Sequence, residues 1–316
     1  MRILISGGAG FLGSHLTDLL LSQGHDVVGV DNFITGKPEN IAHLQANEHY
    51  SFIRHDVIEP LSLAGAVDRI YHMASPASPV GYAKYQVLTM KVNSRGTWNL
   101  LEMSQEKNAR FLMASTSECY GDPAINPQRE DYWGNVNPIG LRSMYDEAKR
   151  FAEACTMAYH RERNLDTRII RIFNTYGPRM DPYDGRVVIN FIRQALNDEP
   201  ITVFGEGRQT RSLCFVSDLV RGINLVMEAD FHEPINLGNP EEATILQIAR
   251  EIREVIPGCK SEIVHLPIPP DDPRVRCPDI TRAKQILGWS PTVSRKEGLA
   301  RMIDFYRDQL KQRPAQ

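Results

Sequence analysis

The chain has 316 residues, 42% of them hydrophobic, with 36 Lys and Arg against 39 Asp and Glu. That length supports a sizeable core in one large domain or two modest ones, and a formal charge of −3 gives no general attraction to nucleic acid. No apolar run approaches the roughly 20 residues that span a bilayer. Five scattered cysteines without a C-x-x-C pair, and nine dispersed histidines, argue against a disulfide framework or a zinc site.

The first residues read directly as a strand, Arg2 to Ser6, and lack the features of a signal peptide. With the reduced cysteine usage, this leads to the expectation of a cytoplasmic protein. Phe11 to Gln23 follows as a helix stopped by Gly24, and Val27 to Val30 as a second strand. Short apolar runs at 52–54 and 69–72 make two more strands. Helical periodicity covers 87–106, a strand 110–114, a long helix 144–163 and a strand 167–172. This alternation predicts an α/β chain with a Rossmann doubly wound parallel sheet.

Beyond Asn174, prolines and glycines interrupt the pattern, with short helices at 187–196 and 245–255. These residues suggest a smaller C-terminal substrate domain. The expected division is 1–175 for the sheet domain, completed by about 212–237, and 176–211 with 238–316 for the second. Cys214 to Leu237 should return to the main sheet. The polar tail from Lys311 should fray.

Between the first strand and its helix lies Gly7-Gly8-Ala9-Gly10-Phe11-Leu12-Gly13. Gly7 allows a tight turn, Gly10 lets the backbone approach a pyrophosphate, and Gly13 permits close helix–sheet packing. Free N–H groups of the helix then face the phosphates. Asp31 ends the second strand, where a carboxylate accepts hydrogen bonds from an adenosine ribose and repels a 2′-phosphate. NAD is therefore favoured over NADP. The expected cofactor contacts are Gly7, Gly10, Phe11, Leu12, Gly13, Asp31, Asn32, Asp56, Val57 and Ala74, with Tyr145 and Lys149. Asp56 would meet the adenine.

Tyr145 and Lys149 are four apart on one helix face. A lysine ammonium beside a phenol should lower the phenol pKa and ready it to accept a hydroxyl proton. Thr116, at the end of a strand where open α/β sheets hold ligands, could bond the same oxygen.

With these segments in view, the chain resembles the extended short-chain dehydrogenase/reductase family of nucleotide-sugar enzymes. The glycine loop, Thr116-Ser117-Glu118-Cys119-Tyr120-Gly121, Tyr145-Asp146-Glu147-Ala148-Lys149, Arg171-Ile172-Phe173-Asn174, and Thr210-Arg211 before Val216-Ser217-Asp218 carry the match. Ala74 to Pro79, Glu130 to Gly134, Asn137 to Gly140, Asp184 to Val188 and Asn236 to Glu242 most resemble its UDP-glucuronate decarboxylase branch. The resemblance implies NAD, a UDP-sugar substrate, and oxidation at C4 as the first step. It implies a catalytic set of Thr116, Ser117, Glu118, Tyr145 and Lys149, and substrate contacts from Asn174, Arg186, Val187, Phe204, Arg211 and Arg276. No metal is expected.

Three reactions share the C4 oxidation. A 4,6-dehydratase uses adjacent Asp and Glu after the Thr, and here the pair is Ser117-Glu118. A 4-epimerase needs only Tyr, Lys and room for the ketone to turn. A decarboxylase exploits the C4 ketone, which makes the C6 carboxylate a β-keto acid. Ser117-Glu118 fits this last pattern. Glu118 is expected to orient or protonate the intermediate, with a raised pKa beside an anionic substrate. A non-catalytic NAD-binding regulator is the alternative from another class, and the intact Tyr–Lys pair argues against it. Cys277 stands where the family pattern has lysine. The family also pairs helices like those near 87–106 and 144–163 in a dimer, so a homodimer is expected.

Overall fold

The computed structural model describes residues 1–267 and 276–311. Part of the segment around Pro269 and Pro273, and the tail beyond Lys311, lie outside them. Six parallel strands, β1 (Arg2–Ser6), β2 (Asp26–Asp31), β3 (Tyr50–Arg54), β4 (Arg69–His72), β5 (Arg110–Thr116) and β6 (Thr167–Ile172), form the central sheet with a seventh, Ile235–Leu237. The spatial order is Ile235–Leu237, β6, β5, β4, β1, β2, β3. β1 has β2 on one side and β4 on the other, so the winding reverses there. A reversal of this kind opens a crevice at the strand C-termini.

The inner strands are nearly continuous in burial, as expected of a sheet covered on both faces, while the edge strand β3 is partly exposed. β5 runs two residues past the expected Ala114. Ser115 and Thr116 pair with Arg171 and Ile172 of β6, which extends the ladder to the rim of the crevice. β3 likewise begins at Tyr50.

Helix α1 (Phe11–Ser22) follows the glycine loop. A helix the sequence pattern missed, α2 (Pro79–Lys84), starts where Ser78 accepts from the Gly81 N–H and proline occupies the first position. The periodic run at 87–106 is two helices, α3 (Gln86–Lys91) and α4 (Thr97–Lys107), joined through a wider π turn at Val92–Gly96. Helix α5 (Ser143–Arg163) ends at Asn164 in the left-handed conformation.

Cys214–Leu237 only partly returns to the sheet. Cys214–Phe215 pairs instead with Thr175–Tyr176, the helix Val216–Glu228 covers the sheet, and Ile235–Leu237 alone joins it beside β6. The later residues add the helices Val187–Leu196, Ile245–Val255, Thr281–Leu287 and Arg295–Lys311 and two small ladders.

One apolar cluster runs from Ile3 and Leu16 through Val188 and Ile192 to Ile248, Trp289 and Met302. Both halves of the chain are thus packed on a common core. A second cluster, including Leu4, Val28, Leu101, Phe111 and Tyr159, lies under α4 and α5. Asp218 pins the C-terminal part by accepting from the Thr292 and Val293 N–H groups at 2.8 and 2.7 Å. Trp289, fully buried beside it, donates to the Asp218 carbonyl at 3.0 Å. Truncating such a side chain costs about 3–5 kcal/mol.

Candidate active site

The crevice at the strand ends is a cavity of about 900 Å³, and every candidate site residue named above lines it. It has a dinucleotide end and a reacting end.

At the first end, β1 runs into Gly7, whose φ of +72° suits glycine. The Gly7 N–H donates to the Val30 carbonyl at 2.8 Å. A Cβ on Gly13 would stand 2.1 Å from the Gly7 oxygen, so the helix start can approach the turn only as glycine. Asp31, buried at the end of β2, accepts from the N–H groups of Ala9 at 3.1 Å and Phe33 at 2.8 Å. It therefore both opens its loop and fixes the glycine turn. Burial raises its pKa, against these backbone donors. Asn32 donates to Asp56 at 3.0 Å, and Val57 packs against Gly96 in the π turn. Ala74 backbone closes over Gly7.

At the reacting end, Thr116 is the last residue of β5, and Ser117 and Glu118 turn away in a short 3-10 helix. Tyr145 and Lys149 come from the first turns of α5. Lys149 is buried, donates to the Ala114 carbonyl at 2.8 Å, and lies 5.9 Å from the centre of the Tyr145 ring. Burial lowers its pKa to about 8. Tyr145 departs from the expectation. Burial holds its pKa above the usual value, although a hydrogen bond with Thr116 opposes this. The lysine spends its proton on a backbone carbonyl rather than on the phenol. A cation added to this end of the cavity, such as a nicotinamide ring, would push the phenol back down.

Glu118 also corrects the expectation. Burial alone would raise its carboxyl, but Arg276 and Arg142 outweigh burial and hold it below its usual value. Arg276 donates to Glu118 at 3.1 Å and to the Ser117 carbonyl at 2.7 Å, and Arg142 donates to the same carboxylate oxygen. In this state Glu118 is an anion and not a ready acid.

Three residues at this end escaped the sequence reading as site residues. Arg142 precedes α5 and lies 5.6 Å over the ring of Tyr82, which stacks on Tyr145 at 5.0 Å. Asp146 is buried, with one oxygen lacking a partner; burial, then Glu118, raises its pKa to about 7. The spacing of Arg142 and Asp146 on the helix start was a usable signal. That of Tyr82, on α2, was not.

Further out, Arg186 donates to the Ala77 carbonyl at 3.1 Å, and Arg211 to that of Thr210 at 2.8 Å. Val187 begins the next helix. Asn174 follows β6, and its carbonyl accepts from Cys214. Phe204 is exposed on the cavity wall and is not core. Cys277 is buried, with its thiol toward the Pro240 carbonyl. A phenol, a hydroxyl and an amine at the end of a dinucleotide cradle can move a proton from an alcohol. The nearby guanidinium groups suit an anionic substrate.

The chain is similar to known proteins over nearly its whole length. The family model described as GDP-mannose 4,6 dehydratase matches residues 4–302. UDP-glucuronic acid decarboxylase 2 of Arabidopsis thaliana is 54% identical over 98% of this chain and 69% of its own. UDP-glucuronic acid decarboxylase 1 of Xenopus tropicalis is 52% identical over 98% and 73%. Among solved structures, UDP-glucuronic acid 4-epimerase from Bacillus cereus, in complex with UDP-glucuronic acid and NAD, superposes with a TM-score of 0.84. It shares 31% identity, over 98% of this chain and 100% of the other. UDP-glucose 4-epimerase from Thermotoga maritima, with UDP-glucose, gives 0.88 at 31% identity, over 98% and 100%.

Proposed function

Because the chain belongs to the extended short-chain dehydrogenase/reductase family, alongside the UDP-glucuronic acid decarboxylases, we propose that it converts UDP-glucuronate to UDP-xylose and CO2. The reaction is redox-neutral overall and NAD-dependent. The cradle fits this cofactor: no Cβ can enter at Gly13, and the Asp31 carboxylate suits a ribose hydroxyl and opposes a 2′-phosphate. When bound, NAD supplies reversible hydride acceptance at C4 of the sugar.

The chain's own groups do the rest. Tyr145 takes the C4 hydroxyl proton, Thr116 holds the same oxygen, and Lys149, anchored on the Ala114 carbonyl, holds the cofactor end. Ser117 and Glu118 orient the sugar and the water from which C5 regains a proton after CO2 leaves. Tyr145 then returns its proton to the C4 oxygen. Asn174, Arg186, Val187, Phe204 and Arg211 hold the nucleotide diphosphate side, and Arg276 the sugar.

The observation that carries the decarboxylase reading over an epimerase is the half-buried Glu118 clamped by Arg142 and Arg276 beside the phenol. A 4-epimerase needs only the tyrosine, the lysine and room for the ketone to turn, whereas loss of CO2 also requires a new proton at C5, and Glu118 with its two arginines can orient the water that gives it. UDP-glucuronate labelled in its carboxyl carbon should release labelled CO2. Retention of the label in UDP-galacturonate would mean epimerisation.

The division into an NAD-binding part, 1–175 with about 212–237, and a sugar-nucleotide part is proposed on the same basis. Trp98, Phe151, Val87 and Met90, from 45% to 68% exposed on α3, α4 and α5, support a homodimer through these helices. Sedimentation should give a dimer, and a monomer at all concentrations would refute it. No helix among the described residues is long and apolar enough to cross a membrane, and all five cysteines are free. A cytoplasmic location accords with both.

A further inference from the structure

Arg276 belongs to the C-terminal half, yet the residue after it, Cys277, is sewn to the first half by one residue. Gln128 is fully buried. Its N–H donates to the Cys277 carbonyl at 2.8 Å, and its side-chain oxygen accepts from the Cys277 N–H at 2.9 Å. Its carbonyl accepts from the Asp279 N–H at 2.9 Å and from the Asn236 amide at 3.0 Å. Its own amide is held by the Ile125 carbonyl at 2.9 Å and Asn126 at 3.2 Å. Gln128 therefore brackets the residue next to Arg276 on both its N–H and its carbonyl.

From Asn236 the bonding continues inward. Tyr120 donates to Asn236 at 2.7 Å, Arg171 to Tyr120 at 3.0 Å, and Arg171 to Glu153 at 2.9 and 2.7 Å. Ser115, on β5, donates to Glu153 at 2.6 Å. Arg276 closes the circuit by donating to the Ser117 carbonyl. β5 and the turn that follows it thus reach Arg276 by two routes, from Ser117 directly and from Ser115 through this chain of buried polar groups. Such fully satisfied networks rigidify what they hold. None of these links touches the substrate cavity through Gln128 itself, which is absent from its lining.

The geometry points to Gln128 as a positioning residue, which fixes the Arg276 guanidinium against Ser117 and Glu118 and so sets the decarboxylation step. This inference rests on the functional reading above for its kinetic consequence, but not for its structural one. Gln128→Met keeps the volume and removes the acceptor for Cys277. It should lower kcat about tenfold or more, with KM for UDP-glucuronate within about threefold, and NADH should accumulate as the oxidised sugar waits. In Gln128→Glu the fully buried carboxyl stays protonated, with one oxygen to accept from Cys277 and a hydroxyl to donate to the Ile125 carbonyl, and should restore turnover to within about threefold of wild type. On an Arg276→Lys background, Gln128→Met should cost nothing further, because both act through one group.

A role in folding alone would lower the melting temperature and the active fraction and leave kcat per active site unchanged, and a role apart from Arg276 would lower kcat by a factor that multiplies with that of Arg276→Lys. Any of these kinetic results overturns the proposal. The structural arm reads Cys277 directly: its labelling by a thiol reagent, located by mass spectrometry, should speed up about tenfold in Gln128→Met as the bracket opens. Unchanged labelling in a folded variant overturns the proposal whether or not the wild type releases CO2. Absence of CO2 from the wild type would instead sink the functional reading. If the Met variant does not fold, the exposed Asn126→Ala, which loosens the Gln128 amide, should shift kcat and labelling in the same directions by about threefold. No shift there would also overturn it.

Discussion

Replacing Lys149 with methionine should make the cofactor-free protein more stable while abolishing its chemistry. The lysine is buried, and burial lowers its pKa from 10.5 to about 8. At 1.36 kcal/mol per unit, that is about 3 kcal/mol of cost for keeping the ammonium folded. The sign follows from proton counting. Below pH 8 both the folded and unfolded chains carry the proton, so the folded chain bears the full cost. Between pH 8 and 10.5 the folded chain has released it and the unfolded chain has not, so stability rises with pH; above 10.5 the cost is gone. Methionine removes the charge but leaves the Ala114 carbonyl without its donor, at about 1 kcal/mol. The net expectation at pH 7 is a gain of about 2 kcal/mol. Urea unfolding of wild type and variant at pH 7 and at about pH 10 measures it, and the gap should narrow at the higher pH. A variant less stable than wild type at pH 7, or a gap indifferent to pH, would refute the reasoning.

Gly13→Ala should fold and lose NAD. Its Cβ meets the Gly7 carbonyl at 2.1 Å, so the rise in melting temperature that wild type shows with NAD should vanish. Glu118→Gln should destabilise by on the order of 2 kcal/mol at neutral pH, since it leaves two guanidinium groups around a neutral amide. Glu118 has a depressed folded pKa, so its contribution is present above about pH 4.5 and is lost as pH falls through the folded value; the gap measured by unfolding should shrink in acid. Asp146→Asn should act in the opposite sense. A folded pKa raised to about 7 means that ionising Asp146 costs stability above pH 7 and nothing below 3.8, so the variant should be more stable at pH 8 and equal in strong acid.

The dinucleotide end was legible because its signals are local. The glycine spacing falls within one strand–turn–helix unit and the Asp closes the strand that follows it; at the reacting end Tyr145 and Lys149 were local in the same way, one turn apart on a single helix. The electrostatics of the reacting end were not. Glu118 meets Arg142 and Arg276 across 24 and 158 residues of sequence, and that convergence reverses the pKa shift expected from burial beside an anion. Lys149 turns to the Ala114 carbonyl, 35 residues away, so the textual pairing of Tyr and Lys did not predict the phenol's pKa. The extension of β5 to Thr116 depends on its register with β6, and α2 is too short for periodicity to reveal. Gln128 carries no motif at all; its weight comes from facing Cys277 across 149 residues.

Proton NMR of the purified protein with UDP-glucuronate and catalytic NAD in deuterated water tests the central claim most directly. UDP-xylose carrying one deuterium at C5 is expected, because that carbon takes its new proton from site water after CO2 leaves. UDP-galacturonate with its carboxyl carbon intact would contradict it and make the protein an epimerase.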